Sequence, residues 1–481
     1  MQLNQLLQGL ELLEATGDLT AEITGVRYDS RQTKPGDLFV AMTGFETDGH
    51  AYIQKALEAG AACVLCQTAP AGDVPYVRVA DSRRALAVVG QNWYDHPAKT
   101  MTLIGVTGTN GKTTTTYLLK DILEQVLGAT VGLIGTNQNM IGQQVLETER
   151  TTPESFELQK LFRQMADGGC THVVMEVSSH ALSLDRVYGE RFAVGIFTNL
   201  TQDHLDFHQT MEHYCDAKAL LFRSCDTGVY NKDDPWAERL TAEADCRLFA
   251  YGEHSAADLR AEDIALDSDH VAFTAVTKDA HVGIKVGIPG GFMVYNTLGV
   301  LGAALALGIP LEKSAAVLSH SAHVKGRVEV VPTPGQAYTI LVDYAHSPDA
   351  LENVLTAVRG FAKGRVVAVF GCGGDRDKTK RPKMGAIAAR LADFSVVTSD
   401  NPRTEVPAAI IADILPGMTG AEGRYTVVEN RVEAIHWAMD HAQKDDVIVL
   451  CGKGHETYQE INHVKHHLDE REVVAAHLAA K

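Results

Sequence analysis

The sequence lacks the features that would place the chain in a membrane or direct it out of the cell. No run of roughly 18 apolar residues occurs, and the nearest approach, residues 298–309, is too short to span a bilayer. The first residues, Met1-Gln2-Leu3-Asn4-Gln5, have neither the basic nor the apolar region of a signal peptide. We therefore expect a cytoplasmic protein with no membrane partner.

Positive charge and closely spaced cysteines are also scarce. The formal net charge is −18, whereas a surface that binds nucleic acid is normally basic, so we expect no nucleic-acid partner. Eight cysteines are spread over 481 residues, which does not resemble a disulfide framework. Cys63 and Cys66 form a Cys-x-x-Cys pair, but they lie in an apolar stretch that predicts a buried strand. We interpret both as structural.

The composition that remains is that of a globular α/β protein. Apolar residues make up 45% and charged residues 22% of the chain, and the length predicts three domains. We place them at 1–98, 99–330 and 331–481. Predicted strands alternate with helices in the second domain (102–107, 130–134, 172–177, 193–199, 228–231) and in the third (338–343, 365–370, 394–398, 425–428, 446–451). This pattern is typical of a mostly parallel sheet with helices on both faces. The fold that we expect is α/β, with a central P-loop ATPase-like parallel sheet, a smaller N-terminal α/β domain and a C-terminal Rossmann-like domain.

The most informative stretch is Gly108-Thr109-Asn110-Gly111-Lys112-Thr113-Thr114. It stands between an apolar run that predicts a strand and residues 115–127, whose apolar side chains repeat with helical spacing. Glycines let backbone N–H groups approach phosphate oxygens, and a helix start favours anions. We predict a nucleotide-binding loop in which Lys112 reaches the β- and γ-phosphates and the Thr113 hydroxyl ligates Mg²⁺. The position five before Gly111 is Val106, where the usual loop has a glycine.

Further polar residues follow predicted strands, where ligands bind in parallel sheets. Glu176 ends one strand, and after a phosphate loop a carboxylate there predicts a Mg²⁺ ligand. His204 and Lys218 come later in the same domain, and spacing alone does not decide whether they are functional or structural. Gly371-Cys372-Gly373-Gly374 lacks the third glycine of a dinucleotide fingerprint, so we expect no NAD site. Ser30 and Arg31 lie in a predicted turn, for which simple turn chemistry is the favoured interpretation.

Four motifs taken together resemble the Mur ligase family, the ATP-dependent amide-bond-forming enzymes of peptidoglycan synthesis. They are the phosphate loop, Glu176-Val177-Ser178-Ser179-His180, Asn199-Leu200-Thr201-Gln202-Asp203-His204-Leu205-Asp206, and Asp343-Tyr344-Ala345-His346-Ser347-Pro348-Asp349. Four others resemble the branch that uses meso-2,6-diaminopimelate: Asp29-Ser30-Arg31, Thr151-Thr152-Pro153, Asp400-Asn401-Pro402-Arg403 and Gly452-Lys453-Gly454-His455-Glu456. The resemblance covers all three predicted domains.

The resemblance implies an ADP-forming ligase of cytoplasmic peptidoglycan precursor synthesis, hence of cell wall biogenesis, cell shape, cell division and the cell cycle. It implies that meso-diaminopimelate is joined to UDP-MurNAc-L-Ala-D-Glu. The D-glutamate γ-carboxylate first takes the γ-phosphate of ATP to give an acyl phosphate, which the amine of the amino acid then attacks. ATP is a co-substrate and two Mg²⁺ ions are implied. We expect a monomer.

The resemblance also implies a role for each matching residue. The ATP-binding set is Gly108, Thr109, Asn110, Gly111, Lys112, Thr113, Thr114, Asn296, Arg327 and Asp343. The metal ligands are Thr113 and Glu176 for one ion and His204 and a carbamylated Lys218 for the other, and Lys112, Glu176, His204 and Lys218 form the catalytic set. The UDP-MurNAc-dipeptide set is Ser30, Thr151, Thr152, Ser178 and Arg186. The diaminopimelate set is Arg376, Asp400, Asn401, Pro402, Arg403, Gly452 and Glu456.

Two residues depart from the family pattern, and three alternative functions remain open. Leu184 stands where some members have a glutamine that contacts the nucleotide substrate, and Met293 stands where many have asparagine. A lysine-adding muramyl ligase is one alternative, against which Arg403 argues. A folylpolyglutamate synthetase is a second, against which the Asp-Ser-Arg domain argues. A non-catalytic nucleotide-dependent binding module is the third, and it would need no polar pockets in the flanking domains.

Overall fold

The computed structural model of the protein describes residues 1–44, 47–146, 148, 150–254, 256–267, 269–321 and 324–480, and for residue 206 only the backbone. Two compact units are distinguished and are described separately here. The first comprises Met1–Lys112, Leu123–Tyr230 and Asp234–Phe249, and the second comprises Thr113–Ile122, Asn231–Asp233 and Ala250–Lys481. None of the described helices combines the length and the apolar character that crossing a membrane requires.

The first unit begins with a five-stranded sheet. Its spatial order is Glu14–Ala15, Tyr76–Arg78, Cys63–Cys66, Asp37–Val40 and Gly25–Arg27, and every pairing is parallel except the first. The helices are Leu3–Leu6, Ile53–Glu58 and Ser82–Trp93, with short 3₁₀ turns at Gly49–Tyr52 and Pro97–Thr100. The buried strand predicted at Cys63 and Cys66 is confirmed. Burial raises the pKa of the Cys63 thiol to about 12 and that of Cys66 to about 11, which keeps both protonated and unreactive.

Seven further strands of the first unit form the parallel sheet that the sequence predicted. The order is Cys225–Asn231, Phe192–Phe197, Thr102–Thr107, His172–Glu176, Val131–Ile134, Asn139–Ile141 and Gln144–Leu146. The first five run parallel and the last two add antiparallel pairings. Their side chains are almost continuously buried, as expected for strands covered on both faces. The carboxyl ends of three strands meet at one edge, with Glu176 opposite Val106 and Phe197 opposite Thr107.

The helices of this region follow the strands in sequence. They are Lys112–Leu127, Ser155–Asp167, Ser179–Ser183, Leu205–His208, Met211–Arg223 and Ala237–Thr241. Residues Thr113–Ile122 of the first of these helices belong to the second unit. The helix predicted from residue 115 begins three residues earlier, at Lys112, directly after Gly111. Its start therefore lies inside the phosphate loop, as anion binding at a helix N-terminus requires.

The second unit contains strands that the sequence did not predict. Leu259–Leu266, Val271–Val276 and His281–Val286 pair antiparallel, and the end of Arg247–Gly252 pairs in parallel with the first of them. The helices Phe292–Ala306 and Leu311–Leu318 follow. More buried and less buried residues alternate along these strands. Such alternation gives a weaker sequence signal than a continuous apolar run.

The remainder of the second unit is a six-stranded sheet with helices between its strands. The order is Glu329–Val331, Thr339–Asp343, Val447–Cys451, Val366–Phe370, Phe394–Val397 and Tyr425–Val427, parallel apart from the first pair. The helices are Pro348–Arg359, Lys380–Leu391, Pro407–Ile414, Arg431–Asp440 and Glu470–Ala479, with a 3₁₀ turn at Leu415–Met418. An antiparallel hairpin, Tyr458–Ile461 with Val464–His467, follows the last parallel strand. These sheets confirm the predicted α/β fold class.

Candidate functional site

The phosphate loop is fixed to the neighbouring strand end by its backbone. The Thr109 N–H donates to the carbonyl of Asn199 at 2.8 Å, and the Asn110 N–H donates to Asn199 Oδ1 at 2.9 Å. Gly108 has φ +146°, and a β-carbon there would overlap the Thr198 hydroxyl, so only glycine fits. Gly111 has φ +86° and immediately precedes the helix. The glycine conformations and the hydrogen bonds to Asn199 thus fix the shape of the loop directly before the helix start.

Two lysine side chains converge on the loop from different parts of the first unit. Lys112 Nζ donates to the carbonyls of Gly108 and Thr109 at 3.0 and 2.9 Å. Lys218 Nζ donates to the same Gly108 carbonyl at 2.8 Å and lies 4.4 Å from the centre of the Tyr214 ring. Burial, reinforced by the charge of Lys112, holds the pKa of Lys218 well below its usual value. A depressed pKa favours the neutral, nucleophilic amine over the ammonium ion.

Glu176 is buried at the end of its strand and accepts hydrogen bonds from Thr136. The Thr136 N–H donates to Oε1 at 2.9 Å and its hydroxyl donates to Oε2 at 3.0 Å. The Thr136 hydroxyl also lies 2.9 Å from that of Thr151. His204 is half-exposed, adopts φ +53°, and its ring lies 4.9 Å from that of His180. Left-handed backbone at a residue other than glycine is a strain typical of functional segments.

The predicted dipeptide-binding residues of the central sheet form one hydrogen-bonded group. Thr152 Oγ1 donates to the Glu176 carbonyl at 2.9 Å and accepts from the Ser178 N–H at 3.1 Å. Arg186 Nη1 donates to the Thr152 carbonyl at 3.2 Å, while its Nε lies 3.3 Å from Glu154 Oε2. Arg186 therefore presents a half-buried cation beside the threonine pair. This cation suits an anionic ligand.

Ser30 lies elsewhere in the first unit. It is buried in the turn that follows strand Gly25–Arg27. The neighbouring Arg31 is bound by Asp29, with Nη2 to Oδ2 at 2.7 Å and Nε to Oδ1 at 2.9 Å. This local pair agrees with the interpretation of Ser30 and Arg31 as part of a turn, and it leaves the predicted role of Ser30 in substrate binding as a prediction.

The second unit holds the other predicted ATP contacts. Arg327 Nη2 lies 3.5 Å from the Thr113 hydroxyl, at the beginning of the helix. Asp343 is buried and accepts from the N–H groups of Val328 and Ala345 at 2.8 and 2.9 Å, and burial raises its pKa. Asn296 is buried on helix Phe292–Ala306. Thr114 is buried on the first turn of helix Lys112–Leu127.

The predicted diaminopimelate-binding residues gather at the carboxyl ends of two parallel strands, Phe394–Val397 and Val447–Cys451. Asn401 Nδ2 donates to Glu456 Oε2 at 2.9 Å, and the buried Lys453 bridges Asn401 Oδ1 and Glu456 Oε2 at 2.9 and 3.1 Å. Gly452 has φ +116°, and a β-carbon on it would overlap Asp400 Oδ2.

Asp400 is the buried carboxylate of this cluster. Burial opposes its ionisation, but Lys453 and Arg431 outweigh burial and hold its pKa below the usual value. Its Oδ1 accepts from the Asn401 N–H at 2.6 Å, whereas Oδ2 has no hydrogen-bond partner among the described residues. An ionised, buried oxygen of this kind is suited to receive an ammonium group.

Arg403 completes the cluster from the adjacent loop. Its Nη1 donates to the Gly374 carbonyl at 2.9 Å and its Nε lies 3.2 Å from Glu460 Oε2. Pro402 is buried beside it, and its carbonyl faces Gly374 so closely that no β-carbon would fit there. Arg376 is exposed on the loop after Gly374 and bonds the Asp375 carbonyl at 3.0 Å. The structure thus brings together the whole predicted diaminopimelate set except Arg376, which stands at its margin.

Sequence reasoning missed several residues that hold these groups in place. Tyr214 lies four residues before Lys218, on the same helical face, and this spacing was available as a signal. Lys453 lies within the Gly452–Glu456 motif, but the sequence alone suggested no role for it. Thr136 and Glu460 could not be identified from the sequence. Each contacts its partner, Glu176 or Arg403, only because the fold brings distant segments together.

Family comparisons agree with this arrangement along most of the chain. Residues 22–94 match the model described as Mur ligase family, catalytic domain. Residues 106–304 match the Mur ligase middle domain, and residues 326–454 match the Mur ligase, glutamate ligase domain.

Individual relatives match over nearly the full length. The UDP-N-acetylmuramoyl-L-alanyl-D-glutamate–2,6-diaminopimelate ligase of Clostridium botulinum is 47% identical, covering 98% of this chain and 99% of the relative. Ligase 1 of the same description from Clostridium acetobutylicum is 48% identical, covering 99% and 98%. A solved structure of a ligase with that description superposes with a TM-score of 0.73 at 31% identity, covering 100% of this chain and 99% of the other. The phosphate loop, the two lysines and the polar strand ends all lie in the matched segments. The three family models and the nearly full-length relatives show that the chain belongs to the Mur ligase family.

Proposed function

We propose that this protein is an ADP-forming ligase that joins meso-2,6-diaminopimelate to UDP-MurNAc-L-Ala-D-Glu. The observation that carries the choice of amino acid is the cluster at the strand ends, where Asn401 binds Glu456 and Asp400 keeps one oxygen without a hydrogen-bond partner among the described residues. Arg403 adds a cation from the adjacent loop. A diamino dicarboxylic acid has the complementary charges. The names of the full-length relatives support the same reaction.

The reaction proceeds through an acyl phosphate. The D-glutamate γ-carboxylate attacks the γ-phosphorus of ATP and ADP leaves. The neutral amine of diaminopimelate then attacks the acyl carbon, and the resulting tetrahedral intermediate expels inorganic phosphate to leave the amide. The first step brings two anions together, so a fixed cation at the phosphates lowers its barrier. Lys112 is that cation, because its ammonium is already held on the loop carbonyls.

Mg²⁺ fits the donor chemistry of the predicted ligands. The Thr113 hydroxyl and the Glu176 carboxylate supply hard oxygen atoms, and His204 adds an imidazole. No group of three histidine, cysteine, aspartate or glutamate side chains suited to a metal occurs among the described residues, so phosphate oxygens and water would complete the coordination. When bound, Mg²⁺ would neutralise charge developing on the phosphates.

Lys218 fits a metal site only after modification, because an ammonium repels a cation. Its burial and its position beside Lys112 favour the neutral amine. That amine can add to carbon dioxide and release a proton, giving a carbamate whose oxygens are anionic ligands. The carbamylated Lys218 would then join His204 at the second ion.

The three predicted segments divide the substrates between them. Residues 1–98 bind UDP-MurNAc with Ser30, and residues 99–330 bind ATP and the dipeptide. Residues 331–481 bind the amino acid and add Asp343 to the ATP contacts. We place the reaction in the cytoplasm, since all eight cysteines are free thiols. We infer a monomer, since one chain carries every residue assigned to the three substrates and the proposed reaction needs no residue from a second chain. It serves peptidoglycan precursor synthesis and thereby cell shape and division.

Release of ADP under substrate omission tests this function against a non-catalytic nucleotide-binding module. Full release is expected only with ATP, UDP-MurNAc-L-Ala-D-Glu and meso-diaminopimelate together. Release that is independent of both other substrates would contradict the ligase assignment. Folate together with L-glutamate, in place of the muramyl dipeptide and diaminopimelate, should give no release, which would exclude the folylpolyglutamate reaction.

Substitution of Arg403 should impair the use of meso-diaminopimelate in particular. A charge-assisted hydrogen bond contributes about 1.5–3 kcal/mol, so Arg403→Ala should lower kcat/KM for this amino acid roughly ten- to hundredfold. Arg403→Lys keeps the charge but not the planar pair of donors, and should restore activity only in part. Steady-state ADP formation measures both. Arg390→Ala, which changes an exposed arginine of the same unit, is the control, and an unchanged KM in Arg403→Ala would refute the role.

A further inference from the structure

The hairpin that follows the Gly452–Glu456 segment is built around a two-residue turn. Ile461 pairs with Val464, which leaves Asn462 and His463 as the turn, with φ +48° and +63°. Two consecutive left-handed residues define a type I′ turn, and asparagine is favoured in its first position. The turn fixes the register of the hairpin and therefore the direction of Glu460.

Backbone hydrogen bonds fasten this hairpin to the loop that carries Arg403. The Arg403 N–H donates to the Glu460 carbonyl at 3.0 Å, and the Asn462 N–H donates to the Arg403 carbonyl at 2.8 Å. The Glu460 N–H donates to Asn401 Oδ1 at 2.9 Å. Arg403 itself adopts φ +51°, a conformation that persists only when the surroundings impose it. The hairpin supplies that constraint.

The side chains of Glu460 and Arg403 then meet directly. Glu460 Oε2 lies 3.2 Å from Arg403 Nε, and both side chains are about one-fifth exposed, at 21% and 19%. Arg403 Nη1 donates to the Gly374 carbonyl at 2.9 Å. A guanidinium has five N–H groups, and within the part of the chain that is described no hydrogen bond engages Nη2. The two contacts hold the base of the planar group and leave Nη2 and one Nη1 donor for a ligand.

We propose that Glu460 is a positioning residue that aims the Arg403 guanidinium at the distal carboxylate of the incoming diamino dicarboxylic acid. This inference rests on the proposed function. Because Glu460 is itself an anion, it reduces the net positive charge that the distal carboxylate meets. Its contribution is therefore to orient the Arg403 donors and not to add electrostatic attraction. Misplacement of such a clamp lowers the rate strongly even when the charge remains. Glu460 thereby contributes to discrimination against lysine, which lacks the second carboxylate.

Two conservative variants separate orientation from charge. Glu460→Gln keeps an oxygen at the same reach, which still accepts from Nε, but removes the charge. Glu460→Asp keeps the charge but is one methylene shorter. If Glu460 acts by orientation, Glu460→Gln retains a near-normal KM for meso-diaminopimelate, whereas Glu460→Asp raises this KM about ten- to hundredfold. Glu460→Ala should raise it as much as Glu460→Asp.

The measurements are KM and kcat for meso-diaminopimelate, ATP and UDP-MurNAc-L-Ala-D-Glu in each variant, together with the unfolding temperature. Glu352→Ala is the control, because it removes the exposed ion pair of Glu352 with Arg390 in the same unit. A rise in KM for the amino acid alone, in Glu460→Asp but not in Glu460→Gln, supports the proposal. A normal KM in Glu460→Asp with a raised KM in Glu460→Gln would overturn it. So would an unchanged KM in all variants, or equal changes in KM for all three substrates. Failure of the wild type to use meso-diaminopimelate would instead refute the underlying function, before any variant is compared.

Discussion

Lys218→Ala is expected to abolish ligation while the protein stays folded. The side chain is buried, and its Nζ lies 2.8 Å from the Gly108 carbonyl and 4.4 Å from the Tyr214 ring centre. Its depressed pKa favours the amine that a carbamate requires. Alanine removes the amine, and with it the anionic ligand that we propose is made from it, so the proposed metal site at the phosphates would lose one of its ligands. We expect a loss of at least about 10²-fold in kcat, as for other groups that stabilise transition-state charge.

Chemical rescue makes this prediction specific. A short carboxylic acid such as acetate should partly restore ADP formation in Lys218→Ala, because it returns a carboxylate to the vacated space. The same acid should not restore Lys112→Ala, whose missing group is a cation. Enzyme prepared with ¹³C-bicarbonate should show a carbamate signal by NMR that is absent from Lys218→Ala. An active wild-type enzyme whose Lys218 remains unmodified in bicarbonate would contradict this role.

Lys112→Ala is expected to reduce turnover by about 10²- to 10³-fold, the usual cost of removing one electrostatic stabiliser of the transition state. The loop should keep its shape, because the Thr109 and Asn110 N–H groups remain bonded to Asn199 at 2.8 and 2.9 Å. Removal of the Lys112 charge should also let the pKa of Lys218 rise, since Lys112 is one cause of its depression.

ADP formation with saturating substrates measures the effect, and circular dichroism checks the fold. Lys313→Ala, an exposed lysine on helix Leu311–Leu318, provides a control with the same loss of charge. Near-normal turnover in a folded Lys112→Ala enzyme would refute the nucleotide-binding assignment of the loop.

Residues close together in the sequence allowed the phosphate loop to be predicted. An apolar strand, two glycines and a helix start are local features, and the structure has all three. The parallel strands were also predictable, because strands buried on both faces are continuous apolar runs. Glu176 and Asp400 could be placed at strand ends for the same reason, since the carboxyl ends of parallel strands share one edge of the sheet.

The arrangements that were not predictable depend on contacts between distant segments. Lys218 meets the Gly108 carbonyl across 110 residues, so its burial and its depressed pKa leave no trace in the local sequence. Glu460 reaches Arg403 through a hairpin whose strands are exposed or half-buried and lack an apolar run. The roles of these residues become arguable only after the fold has brought them to their partners.

The choice between meso-diaminopimelate and L-lysine is the most direct test of the proposed function. Wild-type enzyme should be assayed for kcat/KM with meso-diaminopimelate and with L-lysine, at fixed saturating ATP and UDP-MurNAc-L-Ala-D-Glu. Lysine leaves the guanidinium of Arg403 without its carboxylate, and a site built for a polar group rejects an analogue that lacks it. We predict a preference for meso-diaminopimelate of at least about a hundredfold. Equal kcat/KM for the two amino acids, or a preference for lysine, would contradict the account.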